Sequence, residues 1–439
     1  MFLIERDSEL TLAQLGHILQ TFQTKELITL NKYYNYYKGN QAISNKKATD
    51  IGKPCNKVMT NYCHSIVETY NGYLTGIDVA YSSDREIDNV QDVLNYNDVH
   101  SVDSELLRHA LIAGTAYEIV YIDEIGAERF KVLDSREVIP VYDNTLNQDL
   151  KYAIRFYQAD LIDRDEYIVE VYDSRRIRTY RSTMGFSSFN LIKEEPHYFQ
   201  QVPIIVFDLN TDRESIFAQV MSLQDAYNEL QSGEVDSWNA FADAYLVMKG
   251  VTATEEDMTA AKESRVFMID NGAEISYLTK SISDTQVQDM LVDINNNIHK
   301  IANCPDFSQE SFGTTSGIAL RYRLLGFENV ASSIEANMRK ALQKRIELIT
   351  TILNLKGGES MWRDIKIQFT RNLPVNVEET TNIVNSLRGL VSDETLLSLL
   401  PFITDAQAEL ERLEAQKEAN MSMYSFSTGV TEESEEVDE

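Results

Sequence analysis

Residues 304–328 read CPDFSQESFGTTSGIALRYRLLGFE, a polar, glycine-containing stretch held between two segments of strong helical period. Upstream, over about residues 284–302, Val287, Met290, Ile294, Ile298 and Ile301 recur three or four positions apart and so share one apolar helix face. Downstream, Leu324, Phe327, Ala331, Ile334, Met338, Leu342, Ile346, Ile349 and Leu353 keep that spacing to roughly residue 354. Between them, Gly313, Thr314, Thr315, Ser316 and Gly317 supply turn residues and a Ser/Thr cap for the second helix. A helix beyond ~25 residues is unusual inside a compact domain and implies a shaft, a repeat or a coiled assembly. Its apolar face is expected to be too extended for burial within one subunit. Connections between neighbouring helices usually run ~2–8 residues, so the loop at 304–317 is long. Phe307 and Phe312 are unusual choices for an exposed loop.

Working outward, residues 1–30 read as one or two amphipathic helices built on Leu10, Leu12, Leu15, Ile18, Leu19 and Phe22. The basic, aromatic run LNKYYNYYKGNQAI follows; such a run can stack on single-stranded nucleic acid. The spacing of Tyr33, Tyr34, Tyr36 and Tyr37 equally suits a helix end packed on a sheet, the reading preferred here. Residues 58–75 and 85–113 read as helices. The period then changes: AYEIVYID, RFKVLD, REVIPVYD, LKYAIRFYQ, YIVEVYD, RIRTYR and VPIIVFDLN are β-branched and aromatic runs divided by turn residues. That pattern predicts a meander of antiparallel strands from about 116 to 207. From Glu214 to about Ala244 the chain turns helical, and a small α/β unit separates this helix from the one at 284–302. The strand IKIQFTRNLP is expected to rejoin the earlier sheet, and residues 377–420 form two or three helices.

Chemistry-bearing motifs are sparse. No G-x-x-x-x-G-K-[ST] phosphate loop is present, which argues against a P-loop ATPase. Cys55, Cys63 and His64 lack the second ligand pair that a zinc site requires, so no metal or other cofactor is expected. The histidines are scattered, and acid pairs such as Glu194-Glu195 read as solvated surface; the chain is not read as an enzyme. Three cysteines, Cys55, Cys63 and Cys304, fit a reducing cytoplasm. No run approaches the ~18 consecutive apolar residues of a membrane span, and MFLIERDSEL lacks a signal peptide's basic-then-apolar order. The net charge of −29 would repel a polyanion on average. Residues 1–60 nevertheless hold 8 Lys/Arg against 5 Asp/Glu, whereas TEESEEVDE at the C-terminal end holds six acids and no base.

The segment PDFSQESFGTTSGIALRYRLLG, residues 305–326, resembles the central signature of tailed-bacteriophage portal proteins, in particular the siphophage type. The resemblance extends upstream from Asn31 to Lys280 and downstream through IQFTRNLPVNVEETTNIVNSLRGLVSDETLLSLLPFITDAQAELERL. It implies an α+β ring subunit. N-terminal helices and a wing would occupy 1–213, a stem helix 214–244, a clip 245–283 and a second stem helix 284–303. A tunnel loop at 304–317, a long wing helix at 318–356, a closing wing strand at 357–376, crown helices at 377–420 and a disordered acidic tail at 421–439 would follow.

It also implies a dodecameric ring at one capsid vertex. Double-stranded DNA would pass through the ring without sequence specificity during packaging and ejection. The expected partners are terminase, scaffold and major capsid proteins, with a head-completion or adaptor protein at the clip. The tunnel-loop residues would be Asp306, Phe307, Ser308, Gln309, Glu310, Ser311, Phe312, Gly313 and Thr314. Gly326, which costs the long helix ~1 kcal/mol relative to alanine, would be its kink. Arg321, Arg323, Arg339, Lys340, Lys344 and Arg345 would face DNA or, the preferred reading in so acidic a chain, pair with acids of a neighbouring subunit. Acidic channel walls would let DNA slide, because few counterions are released on contact; the same charge also serves solubility. The alternatives are a nucleic-acid-processing enzyme using the Tyr/Lys-rich segment and a non-viral scaffold protein.

Overall fold

The computed structural model describes residues 1–48, 54–159, 166–183, 185–242, 245–249, 254, 274–278, 284–307, 317–358, 361–372, 377–400, 403 and 406–427. It divides into two units, Met1–Asn372 and Leu373–Glu439.

In the first unit, the expected meander forms two sheets rather than one. The larger has the order β1-β5-β6-β7-β8-β9, with β1 Phe2–Ile4, β5 Val138–Asp143, β6 Leu150–Gln158, β7 Glu166–Tyr172, β8 Arg176–Thr183 and β9 Phe189–Pro196. The smaller has the order β10-β3-β4, with β3 Thr115–Ile122, β4 Glu128–Leu133 and β10 Ile204–Asp208. Strand alternation gives the larger sheet two apolar faces. Ile154, Phe156, Val169 and Val171 pack with Leu15, Ile18, Leu19 and Phe22 of the N-terminal helical region. Ala153 and Tyr172 pack instead with Tyr117, Leu133 and Ile204 of the smaller sheet. Residues 1–30 were expected to be helical throughout, but the segment opens with a strand: β1 pairs parallel to β5, Phe2 opposite Val141. Three residues are too few to register a period. Helix α1, Leu12–Thr21, opens on a capping box in which Thr11 and Gln14 satisfy each other's backbone amides.

Helices α2 Leu27–Tyr37, α3 Tyr62–Thr75, α4 Asp88–Tyr96 and α5 Val99–Ala113 complete the N-terminal half. Gly114 closes α5 at φ +80°, and a Cβ there would lie 2.2 Å from the Arg213 carbonyl oxygen. Only glycine fits both constraints. The helix expected from Glu214 begins at Met221, because Ser215 Oγ donates to the Leu111 carbonyl and a 3₁₀ turn, Ala218–Val220, precedes it. That helix, α6, spans Met221–Ala242 and packs on α7, Asp284–Ile301. Between them β11, Tyr245–Lys249, pairs antiparallel with β12, Glu274–Leu278. Of the apolar face expected for α7, Ile294 and Ile298 are buried, but Met290 and Ile301 are exposed, and Leu291 is buried in their place.

Helix α8 runs from Gly317 to Leu355. Its apolar face is not left for a neighbouring subunit: Leu324, Phe327, Ala331, Ile334, Met338, Leu342, Ile346 and Ile349 are all buried within this chain. They pack against α3, α4, β3 and β10. At about 1.5–3 kcal/mol per buried large aliphatic side chain, this stripe is a principal source of stability. The strand expected to rejoin the meander, β13 at Lys366–Gln368, pairs instead with β2, Ala80–Ser82, placing Ile367 opposite Tyr81.

The same helix carries Arg345, expected at an interface but fully buried. Its Nε and Nη2 donate to the two carboxylate oxygens of Glu118 at 2.7 and 2.9 Å, and Nη1 meets Asp103 Oδ1 at 2.5 Å. The Phe130 ring lies 4.6 Å from the guanidinium carbon. Tyr81 Oη donates to the other Asp103 oxygen at 3.2 Å. Burial pushes both carboxyls up while Arg345 pulls them down, with burial the larger effect.

The second unit contains α9 Val377–Leu387, α10 Asp393–Ser398 and α11 Ala406–Ser427. Ser392 caps α10 by accepting from the Thr395 amide, and Asp393 and Glu394 complement the helix dipole. The tail expected to be disordered from 421 is helical through Ser427; residues 428–439 lie outside the described residues.

Arg345→Met should destabilise the protein by about 3–5 kcal/mol, because Asp103 and Glu118 are left buried without a counter-charge. Adding Asp103→Asn and Glu118→Gln should recover most of that loss. Urea unfolding of both variants checks this; a single variant as stable as the parent would remove the triad from the core's energetics.

Candidate functional site

The base of the 304–317 loop is rigidly built. Helix α7 ends at Ile301, and Asn303 adopts a left-handed φ of +49° that turns the chain away. From α3, Tyr70 Oη donates to the carbonyls of Ala302 at 3.0 Å and Asn303 at 3.2 Å. Cys304 is buried, its amide bonded to the His299 carbonyl and its own carbonyl 2.9 Å from His299 Nδ1. Burial raises the Cys304 thiol to about 12, so it is inert packing rather than a nucleophile. Tyr70 also packs against Phe327 of α8, the rings tilted by 42° with centroids 4.5 Å apart. Loop base, α3 and α8 thus form one packed junction.

Gly326 belongs to this junction. A Cβ there would stand 3.0 Å from Asn303 Oδ1, and the helix is continuous from Gly317 to Leu355. Close approach of the loop base accounts for the glycine without a break in the helix. Of the tunnel-loop residues, Asp306 and Phe307 are described, with Phe307 half exposed. Ser308, Gln309, Glu310, Ser311, Phe312, Gly313 and Thr314 lie outside the described residues, as does the side chain of Arg321.

The basic residues of α8 do not form one patch. Arg345 is in the core, which excludes it as a DNA or inter-subunit contact. Arg339 pairs with Glu335 and donates to the Ile367 carbonyl at 3.2 Å. Lys344 pairs with Glu347 at 2.9 Å and reaches Gln201. Lys340 is exposed and lies 3.4 Å from Asn337 Oδ1, while Arg323 is exposed near the loop. A residue not anticipated, Arg371, bridges Glu328 at 2.9 Å and Glu335 at 2.6 Å, and Tyr73 Oη also donates to Glu328. Burial raises the Glu328 carboxyl, but the hydrogen bonds and charge of Arg371, with Tyr73, bring it below its ordinary value.

The tyrosine-rich run is structural, but it packs on helices rather than on a sheet. Tyr34 Oη meets His109 Nδ1 at 2.7 Å, Tyr36 Oη donates to Asp225 at 2.7 Å, and Tyr37 Oη donates to Glu68 at 2.7 Å. Tyr33, Tyr34 and Tyr36 are buried and leave no face for a base. Beyond them an extended strap crosses α6. The amides of Asn56, Val58, Thr60 and Tyr62 donate in turn to Asp236, Ser232, Asn228 and Gln224, at 2.6–2.9 Å. The acceptors are spaced by four. Four helical residues rise about 6.0 Å and two extended residues about 6.6 Å, so alternate strap amides meet successive helical turns. Lys46 anchors one end on Asp236 at 2.7 Å. Only the tertiary pairing exposes this ladder, although four polar residues at helical spacing, Gln224, Asn228, Ser232 and Asp236, were its available signal.

Among the described residues, no group of three or more His, Cys, Asp or Glu is placed to hold a metal ion, and no helix is long and apolar enough to cross a membrane.

Residues 17–423 match the protein family described as phage portal protein, SPP1 Gp6-like. The portal protein of Bacillus phage SPP1 is 24% identical over 424 residues, 88% of this chain and 83% of the relative. That of Clostridium phage phiCD119 is 22% identical over 421 residues, 89% of this chain and 92% of the relative. A solved structure described as the neck of a native GTA particle computed with C12 symmetry aligns at a TM-score of 0.45 and 14% identity, spanning 77% of this chain and 89% of that one. The chain belongs to the phage portal protein family, SPP1 Gp6-like, as residues 305–326 indicated. Its function is that of a phage portal protein, a structural rather than enzymatic class and a component of the virion.

Two measurements probe the junction and the strap. Asn228 is fully buried, so Asn228→Ala should cost about 1–3 kcal/mol by leaving the Thr60 amide unsatisfied. Hydrogen exchange at that amide should accelerate; unchanged protection would show that the strap does not depend on the ladder. Folding lowers the Glu328 pKa, so its stabilisation is complete above the unfolded value of ~4.3 and is lost as pH falls through the folded value. Glu328→Gln should therefore be less stable than the parent at pH 7 and lose less on going from pH 5 to 3. Equal acid slopes in urea titrations would assign the acid sensitivity to other carboxylates.

Proposed function

We propose that this chain assembles as a dodecameric ring at one capsid vertex and passes double-stranded DNA through its axis during packaging and ejection. The single observation that carries this reading is the family match over residues 17–423. In the proposal, residues 1–213 with the long helix 318–356 and segment 357–376 form the wing, and 377–420 the crown. Residues 214–244 and 284–303 are the stem, and 245–283, which include the antiparallel β11–β12 pair, are the clip. Terminase, scaffold and major capsid proteins dock on the ring, and a head-completion or adaptor protein binds at the clip.

The loop at 304–317 lines the channel. Asp306, Ser308, Gln309, Glu310 and Ser311 supply its polar surface, Phe307 and Phe312 its contacts with neighbouring loops. Its fixed base on Tyr70 and Asn303 supports this reading, since a loop meant to hold position against moving DNA needs a rigid anchor. Of the basic residues of α8, Arg323, Arg339 and Lys340 are exposed, and contact with DNA or a neighbouring copy falls to them. The acidic chain, −29 overall, releases few counterions on contact with DNA and so favours sliding.

Negative-stain images of purified protein should show end-on rings with a central hole. Glu310→Lys adds a phosphate contact in every subunit, so rings and proheads should form normally while packaged DNA falls, the defect easing at higher salt. Stability should change by under ~0.5 kcal/mol, as at other surface sites. Full packaging by this variant at low salt would place Glu310 outside the channel.

A further inference from the structure

The β5–β6 hairpin ends in a loop, residues 144–149, that is constructed to display one apolar side chain. Asp143 Oδ1 accepts from the Thr145 amide at 3.1 Å, Thr145 Oγ1 at 2.6 Å and the Asp149 amide at 3.2 Å. The Asn144 amide is tied to the Ile4 carbonyl at 2.9 Å. Gln148 is held at φ +49°, a conformation costly for a residue with a Cβ. At the tip of this pinned loop stands Leu146, fully exposed at 101% of its reference area. Hairpin tips normally carry Gly, Asn, Asp or Ser, for which solvent is a suitable environment.

At the opposite end of the same hairpin is a cleft of about 380 Å³ lined by Ile119, Tyr121, Lys131, Leu133, Glu137 and Arg155. That is within the range that holds small ligands and ample for a leucine with its flanking backbone. Arg155 spans it, with Nη1 on Glu170 at 3.2 Å and its guanidinium over the Tyr157 ring at 4.4 Å. Its Nε is buried and has no hydrogen-bond partner among the described residues. Lys131 at the rim is exposed. The tip loop offers the complement: an apolar apex and the exposed carboxylate of Asp149.

We propose that Leu146 of one copy seats in the Ile119–Arg155 cleft of the next, with Asp149 against Lys131. Arg155 pairs with Val138 at the hairpin base, so tip and cleft are separated by the length of β5, roughly 20 Å at about 3.3 Å per residue. The contact is therefore head-to-tail, and a head-to-tail contact whose rotation closes generates a ring. The inference rests on the ring reading above and names the residue each copy contributes to its neighbour.

The test uses the full chain with Cys55→Ser, which removes the partly exposed native thiol. Oxidation of the Leu146→Cys, Tyr121→Cys double variant should give a ladder of covalent multimers. An equimolar mixture of the two single variants should stop at covalent dimers, because each copy then carries one half of one contact. Leu146→Asp should raise the concentration for half-assembly roughly thirtyfold, the scale of losing a buried anchor. Its monomer should unfold at the parent's denaturant midpoint, since the side chain touches nothing in its own chain. Asp149→Lys should weaken assembly and Lys131→Glu should restore it. Rings by light scattering in the parent, together with no cross-link and unchanged assembly of Leu146→Asp, would overturn this contact while leaving the ring reading in place. A parent that stays monomeric at every concentration would overturn both.

Discussion

A guanidinium in the middle of a protein has to be matched or it unfolds the core around it. Arg345 is matched by two carboxylates, Glu118 holding it through both oxygens and Asp103 through one, with Phe130 against its face. The five side chains in that cluster, counting Tyr81, come from β2, α5, β3, β4 and α8. Each interaction is strong because water is excluded, and each would be a large penalty if its partner were displaced. The long helix can therefore dock on the sheets in one register. A sliding or rotated α8 would carry Arg345 into an apolar wall and leave two carboxylates bare.

That one constraint organises the surroundings. With α8 fixed, Phe327 falls between Tyr70 and Tyr73, and Gly326 comes opposite Asn303 at the root of the central loop. Glu328 and Glu335 present a two-carboxylate seat to Arg371, just beyond β13. The β2–β13 ladder, which carries Tyr81 into the triad, then closes over the helix. The polar strap on α6 works on the same principle by weaker means. Four neutral or singly charged side chains at one spacing hold a segment with no regular partner strand, and each backbone amide finds an acceptor that a β-sheet would otherwise supply.

Much of the architecture was legible because it follows from period. β-Branched and aromatic runs announced the strands between 116 and 207 except β9, whose polar FNLIKEEP gives no such run, and the three-four spacing announced α7 and α8 to within a few residues. The loop 304–317 was legible as chemistry that fits neither pattern, and its resemblance gave the family that the match over residues 17–423 establishes. What failed had a consistent cause. The apolar stripe of α8 reads the same whether a neighbour or the chain's own sheets cover it, and here the chain covers it. Arg345 reads as a surface cation because charge alone carries no depth. The tyrosine run reads as packed, but whether on a helix or on a sheet depends on elements far along the chain.

The sequence by itself determined the local elements, the two breaks in period that isolate the central loop, and the family, since these depend on neighbours within a few positions. The tertiary structure alone decided the division of the meander into two sheets, the parallel pairing of Phe2–Ile4 with β5, the partner of β13 and the burial of Arg345. Those outcomes join residues as far apart as 80 and 368. The free energy of such a contact exists only once water has been removed from both groups together, and no spacing along the chain encodes that in advance.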